Sequence, residues 1–274
     1  MNPCAHTMGT PDIDVFGAAG QFAAIGFRSM EIICASDYRC AIRSDWPADQ
    51  TGQLKRHLAS LNMSVACLTP YLRDICSLDR EKYDRCMNEA KRVIQLAHTL
   101  ETVGIRMLAG SEEHPTDEEG AICHLAEALG ELCKFAEPYG VELWVENHMG
   151  TLACSAAATK RIVAQTGASN IGIVYDQANL TQLHAETYEE AIRIQAPYIR
   201  HVHVKDASWQ PQGRIAKLLG EGQMPWEPIV GLLKEIGYDG CLCHEYERRW
   251  YPGDLPGADE GMAKGFRYLS DLIR

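Results

Sequence analysis

No Cys-x-x-Cys pair occurs in the 274 residues, although eleven cysteines are present. That lack, with the odd count, argues against a zinc ribbon of paired thiolates and against a disulfide framework. Cys67, Cys86, Cys123 and Cys133 fall within apolar patterns, where a thiol behaves as a small hydrophobe, so buried free thiols are expected. Cys241 and Cys243 share one face of a strand and are read as packing. No GxGxxG or Walker sequence follows any apolar run, which removes the usual phosphate cradles of an open, doubly wound sheet. There is no run of about 18 apolar residues. The first twenty residues also lack the charged start, apolar centre and cleavage site of a secretion signal. The expectations are a cytoplasmic protein and no membrane partner. Positive charge is scarce too: 26 Lys and Arg stand against 37 Asp and Glu, a net charge of −11. Such a balance opposes broad contact with phosphate backbones, so no nucleic-acid partner is expected.

What the chain does have is alternation. Short β-rich runs recur roughly every 30 residues, separated by stretches of helical period. The runs are CAHTM, SMEIIC, SVACLTP, GIRMLAG, VELWVEN, IGIVYD, HVHVKD and GCLCHEY. Helical stretches include DREKYDRCMNEAKRVIQLAHTLE, DEEGAICHLAEALGELCKFAEPYG and PWEPIVGLLKEIGYDG, and GMAKGFRYLSDLIR supplies a last helix. Several runs are apolar almost continuously, which suits strands buried on both faces in a parallel sheet. Eight strands in this order, in a chain close to the roughly 250 residues such a domain needs, predict an α/β fold. We expect a single (β/α)8 TIM barrel occupying residues 1–274 as one domain.

In a parallel barrel the C-terminal strand ends share one face, and four polar residues stand at the tails of the last four runs. They are Glu146, Asp176, His203 and Glu245. Their spacings of about 30, 27 and 42 residues each correspond to roughly one β/α unit. Taken singly, each has a plain structural role open to it: a helix cap for Asp176, a satisfied core imidazole for His203, a solvated rim position for Glu245. Together, three carboxylates and an imidazole make an oxygen-rich site for a divalent metal ion. Mn²⁺ is the leading choice, with Mg²⁺, Co²⁺ and Zn²⁺ as alternatives. Such a cation stabilises negative charge developing on a substrate carbonyl and its neighbouring hydroxyl. Glu146 and Glu245 could then act as catalytic base and acid on opposite faces of the carbon between them. Neighbouring positions are candidate substrate contacts. His148 and Lys205 lie two residues beyond Glu146 and His203 and share their parity if the strands persist, although Lys205 could equally form an internal salt bridge. His6, Tyr71 and Arg73 stand at the ends of strands one and three, Glu31 at strand two, and Trp209 and Trp226 could wall the pocket.

The segments GFRSMEI at strand two, ENH at 146–148, DQANL at 176–180, HVHVKD at 201–206, LGEG at 219–222 and GYDGCLCHE at 237–245 carry a resemblance. The chain resembles, over essentially its whole length, the xylose-isomerase-like barrel superfamily of sugar and sugar-phosphate isomerases and epimerases. The resemblance implies a metal held by a Glu, an Asp, a His and a Glu, which map onto Glu146, Asp176, His203 and Glu245. It also implies a small-molecule carbohydrate substrate, and assembly into a homo-oligomer is left open. Free-ketose 3-epimerases of the superfamily carry a carboxylate six residues after the first ligand and an Arg six after the His; this chain has Leu152 and Trp209 there. It has Asn179 where they have a His, a residue that still binds a hydroxyl. After HVHVKD the chain lacks the further His and Asp ligands that the related repair endonucleases use for a trinuclear zinc cluster. HMGT at 148–151 resembles a segment of inosose dehydratases. The expected activity is a metal-dependent isomerase or epimerase, with a dehydratase of the lyase class second and a non-catalytic carbohydrate-binding relative third.

Overall fold

The computed structural model describes residues 1–111, 118–211 and 213–274. The strands are β1 (Asn2–His6), β2 (Ser29–Cys34), β3 (Ser64–Pro70), β4 (Gly104–Met107) and β5 (Glu142–Glu146), followed by β6 (Ile171–Tyr175), β7 (Ile199–Val204), β8 (Asp206–Gln210), β9 (Gly213–Lys217) and β10 (Cys241–His244). The helices are α1 (Val15–Ile25), α2 (Ala48–Ser60), α3 (Arg80–Thr99), α4 (Glu118–Ala136) and α5 (Ala156–Gln165), then α6 (Gln177–Gln182), α7 (Tyr188–Gln195), α8 (Trp226–Glu235) and α9 (Ala258–Ile273). Asp117, where the expected helical stretch DEEGAICHLAEALGELCKFAEPYG begins, lies outside the described residues. Eight of the strands form a closed parallel barrel in the order β1-β10-β7-β6-β5-β4-β3-β2. The expected barrel is thus present, with one addition. Asp206 does not end the seventh strand but opens a separate antiparallel hairpin, β8 against β9. The sequence reading missed it because these strands are short, polar and partly exposed, with no strong period-two pattern. No helix among the described residues is long and apolar enough to cross a membrane.

Chain contacts group the residues into two compact units, Met1–Ala66 with His201–Arg274, and Cys67–Arg200. In the first, β2 is buried along its whole length, as its mostly apolar run SMEIIC suits, with the single carboxylate Glu31 buried among its neighbours. Strand pairing sets Cys4 beside Cys243 and His6 beside Glu31, and sets Cys243 beside His203. Residues of β10 alternate between faces. Cys243 joins the interior, while His244 meets α9, where a side chain on Gly265 would run into its ring. Burial therefore drives the His244 pKa down to about 3, because the charged imidazolium is desolvated there.

In the second unit Trp144 of β5 packs in a buried apolar cluster with Cys67 and Val174. Register places it beside Arg106 on one strand and Gly172 on the other. A Cβ on Gly104 would overlap the Trp144 ring, and one on Gly172 would come within 3.1 Å of its Cδ1. The two glycines leave space that the indole fills. Helices of this unit begin at side-chain caps: Asp79 accepts from Glu81 and Lys82 N–H, Ser155 from Ala158, and Thr187 forms a capping box with Glu190. The thiols behave as hydrophobes. Of the eleven only Cys154 is exposed, none is in a disulfide, and burial pushes Cys86 and Cys133 up to about 12.

Two measurements check this packing. Gly104→Ala should destabilise the fold by about 1–3 kcal/mol in denaturant unfolding, since the added methyl has no space against Trp144. For His244, the unfolded side chain takes up a proton near its ordinary value of 6.5 and the folded one only near 3. Below the unfolded value, stability should fall as pH falls, by up to about 1.4 kcal/mol per pH unit from this group, until the folded value is reached. His244→Leu should flatten that slope; an unchanged slope would show that His244 is not the group responsible.

Candidate metal centre

Each unit carries a cluster of buried charged side chains at the C-terminal ends of its strands. In the second unit Glu146 is the last residue of β5 and has no exposed side-chain surface. Its Oε2 accepts a hydrogen bond from Arg106 Nε at 2.6 Å. Arg106 reaches up from β4, donates its Nη1 to the Pro70 carbonyl at 3.1 Å and lies over the Tyr71 ring. A guanidinium in this position favours the ionised form of its partner. Removing one member of such a buried pair typically costs about 3–5 kcal/mol, because the other charge is left uncompensated.

Asp176 directly follows β6 and caps α6, its Oδ1 accepting from Asn179 N–H at 2.9 Å. The helix-cap role and the candidate ligand role thus fall on the same carboxylate. Asn147 binds the Asp176 backbone on both sides, donating Nδ2 to its carbonyl at 2.7 Å and accepting its N–H. Asn179 donates to the Asn147 carbonyl at 3.1 Å and approaches Glu146 Oε1 at 3.4 Å. Two asparagines therefore lock Glu146 and Asp176 relative to one another.

The first unit supplies His203 and Glu245. His203 lies in β7 and Glu245 one residue past β10, both buried, with His203 Nδ1 3.8 Å from Glu245 Oε2. Lys205 forms the internal salt bridge, its Nζ 2.5 Å from Glu245 Oε2 and 4.0 Å from Glu247. Glu247 in turn pairs with Arg214 of β9, whose guanidinium lies over the Tyr251 ring. Below His203 sits Glu31, wholly buried and in the middle of β2, with His201 Nε2 at 2.7 Å, His203 Nε2 at 3.1 Å and His6 Nε2 at 3.4 Å. Burial raises the Glu31 pKa, but His203, His6 and His201 together outweigh it and hold the carboxyl well below its usual range.

The remaining candidates fall at varied positions. His6 is buried, accepts the Met8 N–H on Nδ1, and leaves Nε2 without a hydrogen bond among the described residues. β5 stops at Glu146, so strand parity does not extend to His148, which sits half-buried at a turn with Nδ1 on the Met149 carbonyl. Tyr71 is half-buried under Arg106, while Arg73 is exposed at the start of a short 3-10 helix. Trp209 lies on β8 opposite Arg214, its backbone N–H on Gln223 and its ring nitrogen buried without a partner among the described residues. Trp226 is a core residue donating to the Lys205 carbonyl. Arg106 was missed from sequence. An arginine inside the otherwise apolar GIRML run was the available signal, since a buried cation demands a buried partner.

A family model described as xylose isomerase-like TIM barrel matches residues 20–272. The D-psicose 3-epimerase of Agrobacterium fabrum is 25% identical over 137 residues, 48% of this chain and 44% of that one. An inosose dehydratase of Halalkalibacterium halodurans is 29% identical over 147 residues, 50% of this chain and 47% of that one. The chain thus matches about half the length of these curated relatives. Among solved structures, the IolI protein with a binding zinc atom superposes with a TM-score of 0.83 at 18% identity, covering 100% of this chain and 98% of that one. With its closed parallel barrel and a match running from residue 20 to residue 272, the chain belongs to the xylose isomerase-like TIM barrel family.

Proposed function

We propose that this chain is a divalent-metal-dependent enzyme that isomerises or epimerises a sugar or related polyhydroxylated carbonyl compound. The observation carrying it is the ligand set: the buried carboxylates Glu146 and Asp176 stand at the strand ends of one unit, and the buried His203 and Glu245, 3.8 Å apart, at those of the other. Three carboxylates and one imidazole are donor types that fit a hard or borderline divalent cation such as Mn²⁺, Mg²⁺, Co²⁺ or Zn²⁺. The relatives support the reading, since psicose epimerisation and inosose dehydration both act on polyhydroxylated carbonyl compounds.

When bound, the cation would supply Lewis acidity to a substrate carbonyl and its neighbouring hydroxyl. The chain's own residues would do the rest. Glu146, paired with Arg106, is suited to accept the proton from the carbon next to the carbonyl. Glu245, beside Lys205, is suited to return a proton at the same carbon or its neighbour, giving epimerisation or isomerisation respectively. His148, His6, Asn179 and Lys205 would orient hydroxyls, and the Trp209 ring nitrogen offers a donor on the hairpin. Tyr71 and Arg73 remain candidates for the rim. If the carbon beyond bears a leaving hydroxyl, the same proton removal leads to dehydration. That second reading is favoured by HMGT at 148–151, which resembles a segment of inosose dehydratases, while Leu152 and Trp209 argue against a free-ketose 3-epimerase.

Exhaustive chelation should abolish turnover of a panel of ketoses, ketose phosphates and inososes, and Mn²⁺ or Co²⁺ should restore it. Full activity in metal-free protein would remove the cation from the mechanism. Under the same assay Glu245→Gln should lower turnover by about 100-fold or more, because the amide keeps the shape but cannot carry the proton.

Reaction in D₂O separates proton transfer from hydride transfer. Product formed there should carry deuterium at the carbon next to the carbonyl, read by NMR. Product wholly free of solvent deuterium would point to hydride transfer or internal return.

A further inference from the structure

Glu31 is flanked by three imidazoles, and the geometry dictates where their protons lie. An ionised carboxylate only accepts, so the ring nitrogens facing it must carry hydrogen. His201 Nε2 lies 2.7 Å from Glu31 Oε2, and His203 Nε2 lies 3.1 Å from both oxygens. His6 is set from its other side: its Nδ1 accepts the Met8 N–H at 3.0 Å, so its Nε2, 3.4 Å from Glu31 Oε1, is the protonated nitrogen of the neutral ring. All these groups have at most 1% of their side-chain surface exposed, so no solvent competes for the carboxylate.

The far edge of His203 looks the other way. Its Nδ1 lies 3.8 Å from Glu245 Oε2, among the atoms that would share the cation. We infer that Glu31 is a positioning residue which, by taking the Nε2 proton of His203 as a hydrogen bond, fixes that imidazole in the neutral tautomer whose Nδ1 lone pair faces the cation site. The inference rests on the proposed role of His203 as a ligand. It adds the reason that a single carboxylate is buried beneath a pair of histidines two residues apart on β7. His201 serves as a second donor that keeps Glu31 ionised and in place, and His203 relays the hydrogen bond to the site.

The test has a readout that needs neither substrate nor metal. In chain labelled with ¹⁵N-histidine, stripped of cations and held at pH 8, long-range ¹H–¹⁵N correlation should give His203 a protonated Nε2 and an unprotonated Nδ1, the resonance being identified by its loss in His203→Asn. A His203 protonated on Nδ1 in the wild-type chain overturns the inference, and this measurement stands even if variants fold poorly. Glu31→Gln places an amide N–H where an acceptor is needed. It should weaken Co²⁺, measured by competition with a chelator, by about tenfold to 100-fold, the range seen when groups that orient metal-bound histidines are lost. Affinity within about twofold of wild type in a folded Glu31→Gln chain overturns the inference. So does a second Co²⁺ per chain that disappears with Glu31→Gln, because Glu31 would then be a ligand itself. Co²⁺ affinity unchanged in His203→Asn would instead sink the proposed metal site, a result distinguishable from all of these.

Discussion

A carboxylate with no exposed surface stays ionised only if N–H groups or cations surround it, and Glu31 imposes that demand on the first unit. β1 answers with His6, and β7 answers twice, with His201 and His203 on one face of the strand. The register that brings His203 beside Cys243 is therefore fixed by hydrogen bonding as well as by apolar packing, and the register that brings His6 beside Glu31 adds a charge contact at 3.4 Å. A one-residue slip in β7 would turn both imidazoles away and strand a buried charge.

The same logic of paired charge extends to the candidate ligands. Glu146 has Arg106 and Glu245 has Lys205, one cation for each carboxylate, supplied within the same unit. Buried ion pairs seldom add net stability, since desolvation absorbs most of the Coulombic gain. Their value here lies in holding the two carboxylates in fixed orientation at their strand ends. The chain of opposite charges continues through Glu247 to Arg214, which ties the hairpin β8–β9 electrostatically to Lys205 and so to Glu245.

Asp206 explains why that hairpin stays in place. Its two oxygens accept backbone N–H groups from Ala207, Gly220, Gly222 and Met224 at 2.9–3.1 Å. Gly222 is needed because a Cβ there would overlap the Asp206 carboxylate. The LGEG segment thus has a structural reason: it is the loop that wraps around one buried carboxylate, immediately after the strand that carries His203 and just past Lys205.

Much of this was legible in the linear chain. Apolar runs such as SMEIIC and IGIVYD marked strands covered on both faces, and their regular spacing marked the alternation of a barrel, because burial on two sides leaves no polar alternation to misread. Glu146, Asp176, His203 and Glu245 stood out because polar residues at the tails of such runs cost energy unless something uses them. Other features were not readable. His148 was placed by strand parity, yet β5 ends two residues earlier, and the end of a strand depends on the next turn and not on the run itself. Arg106 looked like one of many arginines until β4 and β5 came into register and set its guanidinium on Glu146. The sequence by itself determined the strand and helix order, the parallel barrel and the residue types available for a cation, since these follow from periodicity and composition. Only the tertiary structure decided which cation neutralises which carboxylate and which imidazole nitrogen faces Glu31, because such pairings are made between residues up to 172 positions apart and depend on distances of a few ångströms.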